Sequence, residues 1–120
     1  MSQDLVDLAR HGYEAVRRGD VDAIREFLDP DVKWHGGDPS SGCQNRKQAL
    51  EWMSAARRRG PIGELVDVID ADDKVVVIMR RIGEDGEPEL VANLTTFRDG
   101  KVIEMVHYPD PDDARAATGV

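Results

Sequence analysis

The sequence predicts an α+β fold, with helices first and antiparallel strands last. Three observations carry this. As far as Gly60 the apolar residues recur at three- and four-residue steps, beyond Pro61 the period falls to two, and short turn signals divide the second half at hairpin spacing. The chain has 120 residues and a mass of 13.3 kDa, the common size of one domain with one core, so residues 1–120 are expected to form a single unit.

Leu5, Leu8, Ala9, Tyr13 and Val16 outline the first helix, with Ser2 as its N-cap and Gly19 as its end. Asp20 caps a short second helix whose apolar side is Ala23, Ile24, Phe27 and Leu28, stopped by Asp29-Pro30. Val32-Lys33-Trp34 alternates like the start of a strand, and His35 to Gly42 is rich in turn residues. Asn45 and Gln48 resemble a capping box opening a third helix through Ala49, Leu50, Trp52, Met53 and Ala56, closed by Gly60-Pro61. Four strands follow, at 64–70, 74–82, 88–97 and 101–108, joined by Ala71-Asp72-Asp73, Gly83-Glu84-Asp85-Gly86 and Arg98-Asp99-Gly100.

The last joint decides which side chains share a face. A three-residue loop with Gly100 left-handed pairs Phe97 with Lys101 and Asn93 with Met105. It puts Val91, Asn93, Thr95 and Phe97 on one face with Ile103, Met105 and His107, and turns Glu104 to the other. A two-residue Asp99-Gly100 loop would shift the register and expel Asn93. The first is preferred because it gathers the apolar side chains.

A net charge of -8, from 24 acidic and 16 basic residues, argues against nucleic acid or an anionic membrane as partner. The Arg57-Arg58-Arg59 run suits a helix C-terminus, where the dipole favours cations. No apolar run is long enough for a membrane span, and the first residues lack the basic and apolar regions of a secretory signal, so a cytoplasmic location is expected. Cys43 stands alone, without a disulfide partner. No dinucleotide fingerprint or nucleophilic triad pattern is present, so no cofactor is expected. His11 and Glu14 share a helix face without an evident third ligand, and the His107, Asp110, Asp112, Asp113 cluster reads better as a capped helical turn, so no metal is expected either.

The Gly19-Asp20 hinge, Phe27-Leu28-Asp29-Pro30-Asp31-Val32, the Trp34 strand, Asp99-Gly100-Lys101-Val102 and Tyr108-Pro109-Asp110 occur in an order that resembles the SnoaL-like branch of the nuclear transport factor two and ketosteroid isomerase superfamily. The resemblance covers nearly the whole chain. It implies a cystatin-like cone, three N-terminal helices packed on a curved, mostly antiparallel sheet enclosing a pocket, commonly in a homodimer joined through the outer sheet face. Here that face would carry Ala92, Leu94, Val102, Val106 and Tyr108.

The superfamily contains enzymes, ligand binders and scaffolds, so the residues must decide the chemistry. The tyrosine and base positions of ketosteroid isomerases fall on Gly12 and Gly36, one residue from Tyr13 and His35, and the hydrogen-bonding aspartate falls on Asn93. The Arg-x-Asp of limonene epoxide hydrolases falls on Met79 and Arg81, and their remaining aspartate on His107. Neither catalytic set is present.

His107 is the sharpest candidate, either as a proton shuttle or as a buried histidine that only shapes the cavity. Asn93 can hold a ligand oxygen or satisfy a backbone group. Arg81 can bind a carboxylate or reach solvent, and His35, turned away from Trp34 by alternation, is expected at the surface although it stands at a loop mouth where a ligand enters. Trp34, Tyr13, Trp52, Met79, Phe97 and Met105 are core or pocket lining. The leading expectation is a pocket for a small apolar carbonyl-bearing or cyclic molecule, worked on by His107 and Asn93 in the manner of SnoaL-like cyclases and isomerases. A non-catalytic ligand-binding module and a dimerisation scaffold with a filled cone are the alternatives.

Overall fold

The fold is given by a computed structural model that describes residues 2–38, 40–59, 63–83 and 85–118. Helix α1 (Ser2–Arg18) and helix α2 (Val21–Phe27) form a hairpin about Gly19, whose φ of 72° lies in the left-handed region. Asp20 caps α2 by accepting the Ala23 N–H at 3.2 Å. Strand β1 (Leu28–His35) follows without a break, so the strand begins four residues before Val32 and absorbs Asp29-Pro30. Proline is tolerated there because β1 is an edge strand.

Helix α3 (Arg46–Arg59) opens on Asn45, whose Oδ1 accepts the Gln48 N–H at 2.9 Å, while Gln48 Oε1 accepts the Gln44 N–H at 2.7 Å. The Gly60-Pro61 stop lies outside the described residues. So do Glu84 and the side chains of Ser2, Ala56, Arg57 and Arg59.

Strands β2 (Glu64–Ala71), β3 (Lys74–Ile82), β4 (Pro88–Arg98) and β5 (Lys101–Tyr108) form the antiparallel meander, and β1 joins its far edge parallel to β5 in the order β1-β5-β4-β3-β2. One sheet face, with Val75, Val77, Phe97, Val102 and Met105, packs against α1, α2 and α3 as the main core. Helix α4 (Pro111–Thr118) folds back over the other face, where fully buried Ala114 meets Val76, Ile78, Ala92 and Leu94.

The last hairpin differs from the expected one. Arg98 pairs with Lys101 across a two-residue loop in which Asp99 (φ 54°) and Gly100 (φ 79°) are both left-handed. Phe97 then faces Val102 and Thr96 faces Glu104, so Ile103 is an extra residue in a bulge. The bulge restores the phase that the shorter loop would have lost. Thr95 therefore lies opposite Met105 and Asn93 opposite His107, and both stay on the helix-facing side. Val102 belongs to that side too, not to the outer face expected of it.

Among the described residues no helix is long and apolar enough to cross a membrane.

Candidate functional site

Between the helices and the concave sheet lies a cavity of about 1570 Å³. Its walls come from α1 (Gly12, Tyr13), α3 (Trp52, Met53), β1 (Trp34) and the same-face positions of β3, β4 and β5. A shallower groove of about 780 Å³ between α2 and α3 holds none of the chemical candidates. The chemistry is in the larger space.

His107 and Asn93 are cross-strand neighbours on the cavity wall. Burial, reinforced by the Arg81 cation and opposed by Glu89, holds the His107 imidazole below its ordinary value, so it is neutral near pH 7. Beside it, Asn93 Oδ1 is buried without a hydrogen-bond partner. An orphaned amide acceptor costs about 1–3 kcal/mol, a penalty that a ligand donor can relieve.

Arg81 lines the same cavity, but its charge is answered. Its Nε donates to Glu89 Oε1 at 2.8 Å across the β3–β4 ladder, where the two residues are paired. A second pair, Arg80 with Glu64 at 3.6 Å, also stands at the wall. With Glu51 the described wall carries three carboxylates, Glu51, Glu64 and Glu89, against the two guanidinium groups of Arg80 and Arg81. Glu89 was missed from sequence: the Gly83–Gly86 turn signal alone sets Pro88 opposite Arg81, and it is the joint of five residues between Ile82 and Pro88 that brings Glu89 there.

His35 is 7% exposed, contrary to the surface position expected of it. Alternation does turn its ring away from Trp34, but that side is covered. Gly37 N–H donates to His35 Nδ1 at 3.1 Å, which makes Nε2 the protonated nitrogen, and Nε2 donates to Glu104 Oε2 at 2.9 Å. The ring is committed to holding the loop after β1. Phe97 also departs from the pocket-lining role: it is buried in the core, edge-on to Phe27 at a 5.7 Å centroid separation, and does not line the cavity.

Trp34 lines the cavity because the loop after it is pinned. Trp34 and Cys43 exchange both backbone hydrogen bonds, at 3.0 and 2.8 Å, and Gly42 passes so near that a Cβ would sit 2.3 Å from the Trp34 carbonyl oxygen. Trp52, half exposed on α3, stands edge-to-face with Trp34 at 4.6 Å. Tyr13 donates its hydroxyl to the Gly63 carbonyl, tying α1 to the start of β2, and burial pushes its phenol up. Burial likewise raises the Cys43 thiol, which keeps it protonated and a poor nucleophile. Among the described residues no group of three or more His, Cys, Asp or Glu converges as a metal site. The helix at Pro111 is capped by Asp110, which accepts the Asp112 N–H at 2.9 Å.

Solved structures share this architecture. A candidate polyketide cyclase of Sinorhizobium meliloti is similar at 24% identity over 89% of this chain and 98% of its own, with a TM-score of 0.72. Bal32a, from a soil-derived mobile gene cassette, is 21% identical over 89% of both chains with a TM-score of 0.73. A nuclear transport factor two-like protein of Burkholderia pseudomallei is 17% identical over 100% of both, with a TM-score of 0.69. At these identities the likeness is one of fold. No curated protein matches the chain. Residues 9–105 match the sequence profile of the SnoaL-like domain, which spans most of the chain and nearly all the cavity wall, and the protein belongs to the SnoaL-like domain family.

Proposed function

We propose that the cavity binds a small, largely apolar molecule bearing a carbonyl, and that His107 moves a proton on the carbon next to that carbonyl. The observation that carries this reading is the cross-strand pair on the cavity wall: a neutral imidazole beside an amide with an unpartnered oxygen. A neutral ring nitrogen can accept the proton as the C–H electron pair shifts toward the carbonyl oxygen. The Asn93 amide offers both an N–H donor for the resulting oxyanion and an acceptor for an enol hydroxyl, so it can serve the ligand before and after the transfer. Where a carbon–carbon double bond is conjugated with the enolate, return of the proton from His107 to its far carbon completes an isomerisation; where the enolate carbon instead attacks a second carbonyl, His107 returns the proton to the alkoxide so formed and completes a cyclisation. The candidate cyclase among the structural neighbours is consistent with either outcome.

The test is deuterium incorporation into cyclic ketones in heavy water, followed by NMR. The His107→Gln variant is expected to lose exchange by about two to four orders of magnitude while ligand affinity, read by thermal shift, changes little. Exchange that is no faster with the native protein than with buffer would leave a ligand-binding module as the reading. Absence of any ligand-induced stabilisation would favour a scaffold.

A further inference from the structure

We infer that the Arg81–Glu89 pair is the specificity element of the cavity, and that the ligand is an oxo acid whose carboxylate rests on Arg81 while its carbonyl lies at His107 and Asn93. This rests on the proposed function for the position of the carbonyl. The remainder stands on the geometry of β3 and β4.

Arg81 and Glu89 form one rung of the ladder, and Glu89, Val91 and Asn93 follow one another along the cavity face of β4. Four residues of strand separate the Glu89 rung from the Asn93 rung, about 13 Å along the strand. Val91 and Met79, both apolar and both on the wall, fill the interval. The cavity wall therefore presents two polar pairs with an apolar stretch between them, the pattern of a molecule with two oxygen-bearing groups joined by hydrocarbon.

Arg81 rather than Glu89 is the ligand-binding member. Its hydrogen bond to Glu89 uses Nε, and among the described residues its terminal nitrogens make no hydrogen bond. A guanidinium anchored at one edge is held in a fixed plane with its other donors free, which is the geometry that favours a carboxylate. Glu89 is thus a positioning residue and also a competitor. The side chains of Arg81 and Glu89 are about half exposed, at 50% and 46%, so solvent screens the interaction and the expected selectivity is moderate.

The experiment uses methyl-ketone acids of increasing chain length, from about four to about twelve carbons to bracket the strand separation, with the matching methyl esters. Binding is read by titration calorimetry on the full chain. The acid is expected to bind about three- to tenfold more tightly than its ester at an intermediate length, with the difference shrinking as salt is raised. Arg81→Met is expected to abolish that difference, and Glu89→Gln to widen it by removing the competing carboxylate. Equal affinity of acid and ester in the native protein, survival of the difference in Arg81→Met, or no binding at any length would overturn the inference. The His107→Gln variant separates the two proposals: it should keep the acid preference while losing proton exchange. Exchange on simple ketones without any acid preference would retain the proposed function and remove this one.

Discussion

Gly12 shows how one missing side chain shapes this protein. Glycine inside a helix is unfavourable by about 0.5–1 kcal/mol relative to alanine, yet Gly12 is buried in the middle of α1. The reason is Phe27: a Cβ at Gly12 would lie 2.5 Å from its ring, and that ring is held edge-on by Phe97. Gly12→Ala is therefore expected to lower stability by about 1–3 kcal/mol in urea unfolding, despite its better helix propensity, and Phe27→Leu in the same chain should restore part of the loss. His107 gives a second prediction, with a sign. Its folded value is depressed, so the unfolded chain binds the extra proton: stability is full above about pH 6.5 and is lost as pH falls from there toward the folded value. Urea midpoints measured from pH 7.5 down to pH 5 should fall more steeply for the native protein than for His107→Gln, and parallel curves would remove the claim.

At the scale of elements, the loop after β1 and the β4–β5 hairpin position the site. Gly42 has a φ of 78°, and any side chain there meets the backbone oxygen of Trp34, which cannot move without breaking the bridge to Cys43. Gly42→Ala should destabilise by about 1–2 kcal/mol from the backbone conformation alone. It should also alter tryptophan fluorescence through the Trp34–Trp52 contact. An unchanged emission maximum and unchanged stability would show that the loop tolerates the change. The hairpin teaches a different point. A type I′ turn and a bulge at Ile103 compensate one another, so a wrong loop length and the right face for Asn93 and His107 came from the same sequence reading.

At the scale of the molecule, the outer sheet face was expected to demand a partner because it is apolar. In the single chain α4 already covers much of it, leaving Ala92 and Val76 fully buried and Leu94 only 7% exposed. What stays open is the end of the sheet beyond α4, with Ile82 at 67% and Leu90 at 44% exposure. We propose that a second copy docks there, over Ile82 and Leu90, the large apolar side chains the sheet leaves open beyond α4. Light scattering at micromolar concentration is expected to give a dimer for the native chain and a monomer for Leu90→Glu. A native monomer removes the proposal.

Element order, strand limits and helix caps follow from interactions between residues a few positions apart, and those could be read along the chain: the Asp20 and Asn45 caps, the Gly19 hinge and the beginnings of β2, β3, β4 and β5 all fall where turn and cap chemistry puts them. The alternation of β4 and β5 even placed Asn93 and His107 on one wall. Partnerships across long separations could not be read in this way. Whether Arg81 meets a ligand or Glu89, whether His35 faces water or Glu104, and whether Phe97 lines the cavity or braces Phe27 depend on which surfaces the sheet and helices bring together. Helix α4 makes the same point, since nothing local to residues 111–118 says which face it will cover. Local sequence sets the direction in which a side chain leaves the backbone, and only tertiary packing supplies what it meets there.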